Sequence, residues 1–475
     1  MELLEQIKQD FLDYSYQVNA ERSFCAIDGL KPCQRLSLYA MYKNNFTHNK
    51  PFVKSAKIVG IVIGEYSPHG DSTTYDCIAK MTQDFNNNLP LCELHGNGGS
   101  LSDPTPAAYR YTEVRLSEFG EELFENLENS VPFVDNFDNS TKQPLMLPTP
   151  FPLLLINGCS GVGVTLSTNI LPYNFTEVTK AYKNFLKTGK MDYTLIPDFP
   201  TGGKIIDGEF KKILKTGKGK VVVQATSELE QKKRQIIFTE LCYLTNVKGV
   251  FEKLKELINK GAFPEIKNIQ NATGKDGVRL IVEYKKGVRP EELLDKLYKK
   301  TDLQKNYTVN QKVLIKKTPR LLSTKEYFEQ LYGFQDTYVK FRCKNELLDL
   351  KDKIEKAKGL IFAQDNIESI VRIMKKSKGK KEAKNNLMQT FDLTQIQAES
   401  IVVLPLYKIN KLDKENLQKE YDKLLADYNL TNKKISNKDL RKEEIIERLD
   451  KLLKKYKTKR KTQIVIIDNN SKNSK

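Results

Sequence analysis

Between Pro106 and Leu116 the chain reads PAAYRYTEVRL, which sets Tyr109 and Tyr111 on either side of Arg110, with Glu113 and Arg115 close behind. A tyrosine hydroxyl can pack, donate a hydrogen bond or attack phosphorus. A guanidinium such as that of Arg110 or Arg115 presents parallel donors that match phosphate oxygens. A free phenol with a pKa near 10 is about 0.1% ionised at pH 7, a cost of about 4 kcal/mol that adjacent cations offset. Exchange of one phosphodiester for another conserves bond energy, so such a break is reversible without ATP. Hydrolytic cleavage would need an activated water and, as a rule, a carboxylate-held metal pair. The sequence offers no acidic metal cluster, no Walker A motif and no HExxH. Most tyrosines in such a segment pack against a core, so the neighbours decide. Arg35, Lys54, Lys57, His69 and Asp71 all precede it within one stretch and supply cations and a proton acceptor.

The elements that must position these residues follow from periodicity. Residues 1–20 predict a helix with Leu4, Ile7, Phe11 and Tyr14 on one face. After a Gly/Pro break at Asp28–Pro32, a second helix is expected from Gln34 to Tyr42. A third falls in KSAKIVGIVIGEY, with Val53, Ala56, Val59 and Ile63 on one face. SPHG then turns into a helix capped by Asp71 or Ser72, with Tyr75, Ile78, Ala79 and Phe85 as its stripe. Helix, tight glycine turn, helix is the helix-turn-helix pattern. GNGGS (Gly96 to Ser100) reads as a loop. Asn157 to Asn174 is a glycine-punctuated strand or loop.

From 200 to 322, strand pieces (KVVVQAT, QIIFTEL, VRLIVEY) alternate with helices (VFEKLKELINK, RPEELLDKLYKK), as in a separate α/β domain. Two long apolar seams, 323–356 and 408–456, predict an antiparallel coiled coil around a compact tip containing FDLTQIQAESIVVLPLYKI. The tail, NNSKNSK, has a disordered composition.

The 475 residues suggest two to four domains. No apolar run is long enough for a membrane helix, and MELLEQIKQDF lacks the basic and apolar regions of a signal peptide. Seven scattered cysteines without a CxxC pair, and three histidines, point to reduced thiols in a cytoplasmic protein rather than a zinc site. The net charge of +18 suggests a polyanionic partner. It is uneven: residues 1–200 carry 16 Lys and Arg against 23 Asp and Glu, a net of −7, which leaves +25 on the other 275. DNA chemistry in the first part therefore depends on locally placed cations.

Seven ordered blocks, ERSFCAIDGLKP, KSAKIVGIVIGEYSPHGDSTTYD, HGNGGS, AAYRYTEVRL, LPTPFPLLLINGCSGVGV, PDFPTGG and FDLTQIQAESIVVLPLYKI, run from residue 12 to 456. Together they resemble the A (breakage–reunion) subunit of bacterial type IIA DNA topoisomerases, the gyrase and topoisomerase IV class. The resemblance implies that Tyr111 forms a 5′-phosphotyrosyl link, that Arg110 stabilises the scissile phosphate, and that Tyr109 is a neighbour. It implies roles at the cleavage site for Arg22 and for His69, the latter as proton shuttle or phosphate ligand. It implies DNA contacts for Lys31, Arg35, Lys54, Lys57 and Val162. Val162 stands where the family has an isoleucine wedge that bends the gate DNA. Ser72 and Asp76 match the polar pair near which fluoroquinolones bind. Two departures soften the site: Ser67 replaces a histidine in the HPHGD motif, and a double arginine is reduced to Arg35-Leu36.

The implied fold is multidomain α+β: an N-terminal arm (1–22), a winged-helix cleavage domain (23–150), a tower (151–322), a coiled coil (323–356 and 408–456), a C-gate dimerisation domain (357–407) with tips at Ile401–Leu406, and a disordered tail (457–475). Magnesium would be held mainly by the TOPRIM domain of a partner B subunit, whose GHKL module would bind ATP. The implied assembly is an A2B2 heterotetramer that dimerises through the C-gate on double-stranded DNA, with no membrane partner. Family members from bacteria continue into a C-terminal β-pinwheel, so a chain ending at 475 is expected to be a short, phage-like form without negative supercoiling. The alternative is a catalytically inert architectural relative, for which Tyr111 with Arg110 has no use.

Overall fold

The computed structural model describes residues 2–191, 193–274, 277–404 and 412–465. Pro405 and Leu406 of the expected gate tip, residues 408–411 of the expected coil and residues 466–475 of the expected tail lie outside the described residues. The fold is mixed α+β. The chain divides into two compact units, Met1–Leu127 with Val131–Gln335 and Ile445–Lys475, and Glu128–Ser130 with Asp336–Glu444.

In the first unit, helix Glu2–Val18 forms as its periodicity predicts, yet Leu4, Ile7, Phe11 and Tyr14 are exposed. Pro32 opens helix Pro32–Lys43, where its missing N–H costs nothing, and Gln34 accepts from the Lys31 N–H. Helix Ser55–Ile61 follows a short strand, Val53–Lys54, and ends in a wider turn, Val62–Tyr66. Its buried face is Ile58, Val59, Val62 and Tyr66 rather than the expected Val53, Ala56, Val59 and Ile63. Val53 is already committed to a strand pairing with Val114, so the helical phase starts two residues later.

Helix Asp71–Thr82 is entered through Gly70, and Asp71 and Ser72 fall inside its first turn instead of capping it. Tyr75, Ile78 and Ala79 are buried as a stripe, while Phe85 lies beyond the helix end. These helices pack with an antiparallel sheet in which Glu113–Leu116 lies between Val53–Lys54 and Cys92–His95.

Two larger sheets complete the unit. In the first, Ser227–Glu230, Gln235–Phe238, Leu280–Tyr284 and Ile266–Asn271 are neighbours in that order. Helices Val247–Asn259 and Pro290–Lys300 close it, their Val250, Leu254, Leu293 and Leu297 meeting Ile236, Phe238, Leu280 and Val282. The second has six strands, ordered Gln463–Ile464, Lys204–Gly208, Lys218–Gln224, Gln304–Asn310, Ser167–Ile170 and Cys159–Val162.

The first of those strands corrects the expectation of a tail disordered from 457. Gln463–Ile464 pairs in parallel with Lys204–Gly208. Arg460 donates to Glu177 and to the carbonyls of Ile196 and Pro197, and the Thr462 N–H donates to Asp198 at 2.8 Å. Those partners offset the entropy of ordering a segment whose composition reads as linker.

Helix Thr324–Asp365 runs longer than the expected 323–356, and its partner is two helices, Leu412–Ser436 and Lys438–Lys455, instead of one. Asn437 divides them, its side chain accepting from the Asp439 and Leu440 N–H groups as an N-cap does.

Within the second unit the pairing is antiparallel. Asp336 receives both arms of the buried Arg441 guanidinium, Arg342 pairs with Glu444, and Lys356 borders the same cavity as Leu417 further along. Ile401, expected at an interface, is instead buried with Ala363, Ile370, Leu387 and Ala398 in this unit's own core. Val403 is the exposed apolar residue there.

Candidate functional site

Tyr111 sits on the turn that leads into strand Glu113–Leu116, its N–H donating to the Ala108 carbonyl at 2.9 Å. Its side chain is 66% exposed, against the expectation for a packing tyrosine. The Arg110 guanidinium carbon lies 4.7 Å from the centroid of the Tyr111 ring. The one contact keeps a cation beside the phenol while leaving guanidinium donors for another group.

Tyr109 does more than pack. Its hydroxyl donates to Asp71 Oδ2 at 3.1 Å, and its ring meets Tyr75 edge-on at 5.8 Å. The Asp71 carboxyl is held below the usual carboxylate range, first by the Ser72 N–H and then by that hydroxyl. The Tyr75 hydroxyl donates to the Ala107 carbonyl at 2.7 Å and lies 2.9 Å from Thr112 Oγ1, which is 2.8 Å from Ser55 Oγ. A buried hydroxyl chain thus ties the Tyr111 turn to helices Asp71–Thr82 and Ser55–Ile61. Nothing in the local spacing signals Tyr75 or Thr112 as positioning residues, since both read as ordinary stripe and strand positions.

The expected cations divide. Arg22 is exposed, and Lys54 is paired with Glu113 at 3.0 Å on the surface. Such exposed pairs contribute little, about 0–1 kcal/mol, so the Lys54 ammonium can exchange this partner for a phosphate. Lys57 Nζ stands 5.1 Å from the Phe46 ring centroid. His69 is half-buried just before helix Asp71–Thr82, and Ser72 and Asp76 are exposed along it.

Arg35 must be reassigned from DNA contact. Its Nε and Nη2 donate to the fully buried Asp28 carboxylate at 2.7 and 2.9 Å, and Nη2 also donates to the Leu30 carbonyl. Its donors face inward. Arg115, too, is engaged: Nε donates to Glu93 at 2.8 Å and Nη1 to the Lys50 carbonyl at 2.7 Å.

Val162 ends strand Cys159–Val162 with its side chain 83% exposed, at the tip of a hairpin with Ser167–Ile170. The segment from Asn19 to Lys31 grips that hairpin residue by residue. Asn19 Nδ2 donates to the Val164 carbonyl and its Oδ1 accepts from the Val164 N–H; Ser23 Oγ donates to the Val162 carbonyl at 3.0 Å; Lys31 Nζ donates to the Ser160 carbonyl at 2.7 Å. Burial pushes the Lys31 ammonium below its ordinary pKa. Lys31 therefore anchors the hairpin as well as carrying charge.

The expectation of seven reduced thiols also needs correction, because Cys25 and Cys159 are joined in a disulfide. They are 134 residues apart in sequence, but the hairpin brings their Cα atoms to 6.8 Å, within bridging range.

Close approach explains the glycines of this hairpin. A Cβ on Gly161 would stand 2.0 Å from the Ser23 carbonyl oxygen, and one on Gly163 would stand 1.8 Å from Asn19 Oδ1. Gly161→Ala is expected to push the hairpin off this segment and to lower stability by about 1–3 kcal/mol in denaturant titration. An unchanged midpoint would show that the contact is not constraining.

Among the described residues, no three His, Cys, Asp or Glu side chains gather to hold a metal ion, and no helix is long and apolar enough to cross a membrane.

A phenol beside a guanidinium, set in a three-helix and antiparallel-strand frame, matches a known class. The family model for the A subunit of DNA gyrase/topoisomerase IV covers residues 22–450. The DNA gyrase A subunit of Ureaplasma parvum is 37% identical over 98% of this chain, and the DNA topoisomerase 4 A subunit of Staphylococcus epidermidis is 36% identical over 98%. The corresponding topoisomerase 4 protein of Staphylococcus aureus is 36% identical over 96%. The chain spans 56%, 60% and 59% of the lengths of these three relatives. It belongs to the family of DNA gyrase/topoisomerase IV A subunits.

Proposed function

We propose that this chain is the breakage–reunion subunit of a type IIA DNA topoisomerase, with Tyr111 as the nucleophile. The exposed Tyr111 phenol, with Arg110 against its ring, carries the reading. The Tyr111 oxygen attacks a backbone phosphorus as the bond to the 3′ oxygen breaks. This leaves a 5′-phosphotyrosyl link and a 3′ hydroxyl, which takes up a proton. Arg110 holds the non-bridging oxygens as charge develops, and Arg22 and His69 complete the site, His69 being placed to pass the proton. The reverse attack by the 3′ hydroxyl reseals the strand.

The helices and small sheet around Tyr111 act as a winged-helix DNA-binding domain, and the sheets beyond residue 200 act as a tower. Lys31, Lys54 and Lys57 meet the phosphate backbone, whose neutralisation dominates affinity. Val162, at the hairpin tip, inserts between base pairs and bends the duplex; Ser72 and Asp76 line the face on which quinolone-type drugs would lie. Two copies of the chain join through the tip of the second unit and pair with two B subunits, forming A2B2 in the cytoplasm. The TOPRIM domain of the B subunit would supply magnesium for phosphate activation, and its GHKL module would bind ATP. The described residues of this chain include no three-ligand cluster, so no step here is routed through a metal.

Mixing the chain with a B subunit, ATP, magnesium and catenated circular DNA is expected to release single circles. The B subunit must first be shown to work with the breakage–reunion chain of a related enzyme. Catenanes left intact under those conditions would overturn the reading.

A further inference from the structure

The hairpin that carries Val162 is fastened by hydrogen bonds at Ser160, Val162 and Val164, and by one covalent bond at Cys159. The covalent fastening differs in kind, because thiol chemistry can undo it. Both cysteines line a cavity of about 590 Å³. Its charged lining is three cations, Arg22, Lys31 and Lys80, against the single carboxylate of Asp76. That space is wide enough for a small molecule and electrostatically suited to an anion.

We propose that the Cys25–Cys159 bridge is a redox site opened by small anionic thiols that enter this cavity, and that its state sets how firmly the hairpin holds Val162. The proposal rests on the DNA-bending reading of Val162 only for its effect on DNA; the chemistry stands apart from it.

The exchange balances without any further reactant. A thiolate attacks Sγ of Cys159, the S–S bond breaks, and Cys25 leaves as a thiolate that takes a proton from solvent. A second thiolate displaces Cys159 from the mixed disulfide, and Cys159 is protonated in turn. Two small thiols are oxidised to their disulfide as the bridge is reduced to two protein thiols. A small disulfide of the same class runs the sequence backwards. With the bridge open, the hydrogen bonds from Asn19, Ser23 and Lys31 remain, so the hairpin loosens without detaching.

Reduced glutathione, an anionic thiol, and cysteamine, a cationic one, are the probes. In the full chain purified without reductant, alkylation after denaturation is expected to label the five free cysteines, and all seven after glutathione treatment. Hydrogen exchange at residues 159–170 is expected to rise several-fold on reduction, and to the same level in the untreated Cys25→Ser and Cys159→Ser variants. Glutathione is expected to act several-fold faster than cysteamine at equal thiolate concentration.

Seven labelled thiols without reductant, unchanged hairpin exchange, or equal rates for the two thiols would each overturn the proposal. For the holoenzyme, reduction is expected to lower gate-DNA bending, read by end-to-end fluorescence transfer, in wild type but not in Cys25→Ser. Persistence of the thiol count and exchange results with no change in bending would reject the Val162 wedge rather than the redox site.

Discussion

Tyr111→Phe, assembled with its B subunit, is expected to lose strand passage and covalent DNA attachment by about four orders of magnitude or more, as loss of a nucleophile does. DNA affinity should stay within about twofold, because binding rests on phosphate neutralisation and the phenol ring is retained. The substitution removes one oxygen from a side chain that is already 66% exposed, so stability should not change. Trapping of protein-linked DNA after denaturation reads the covalent step, and gel mobility reads binding.

Arg110→Ala makes the complementary case. It keeps the nucleophile but removes charge stabilisation, with an expected loss of about 10²–10³-fold. Tyr109→Phe separates the two tyrosines: it breaks the Asp71 hydrogen bond yet leaves attachment in place. Protein-linked DNA formed by Tyr111→Phe would sink the assignment, and its loss in Tyr109→Phe alone would move the chemistry to the neighbour.

The second large effect lies at Asp28. Its carboxylate accepts from Arg35 twice, from the Leu30 N–H at 3.3 Å and from the Leu147 N–H at 3.1 Å, while its own carbonyl accepts from Thr149 Oγ1. Asp28→Ala leaves a buried guanidinium unpaired and is expected to cost about 3–5 kcal/mol, a large share of a domain's stability. The double variant Asp28→Leu/Arg35→Met removes both charges together and should recover much of that loss. Thermal unfolding of the three proteins gives the coupling.

The same set tests whether Arg35 touches DNA. A phosphate contact would add about 0.9 to the slope of log affinity against log salt, and the double variant should show no such change. A shallower slope would return Arg35 to the DNA surface.

Much of the site was legible because its information is local. The spacing in PAAYRYTEVRL, the helical stripe of Tyr75, Ile78 and Ala79, and proline at the start of Pro32–Lys43 depend only on residues within a few positions. So do the strands and helices between 200 and 322, where period two gives way to period 3.6. Side-chain chemistry likewise singled out Arg110 beside Tyr111 as a phosphate-handling pair.

What tertiary structure alone decided involves partners far apart in sequence. Arg35 looked like a surface cation until Asp28 turned inward beside it, with Leu147 contributing an N–H from 119 residues away. Cys25 and Cys159 looked like scattered thiols until the hairpin crossed the Asn19–Lys31 segment. Residues 457–465 looked like a linker until Gln463–Ile464 found the edge of Lys204–Gly208. In each case the residue's own properties permit several states, and the energy that selects one comes from burial, pairing or hydrogen bonding with groups that only the folded chain brings within reach.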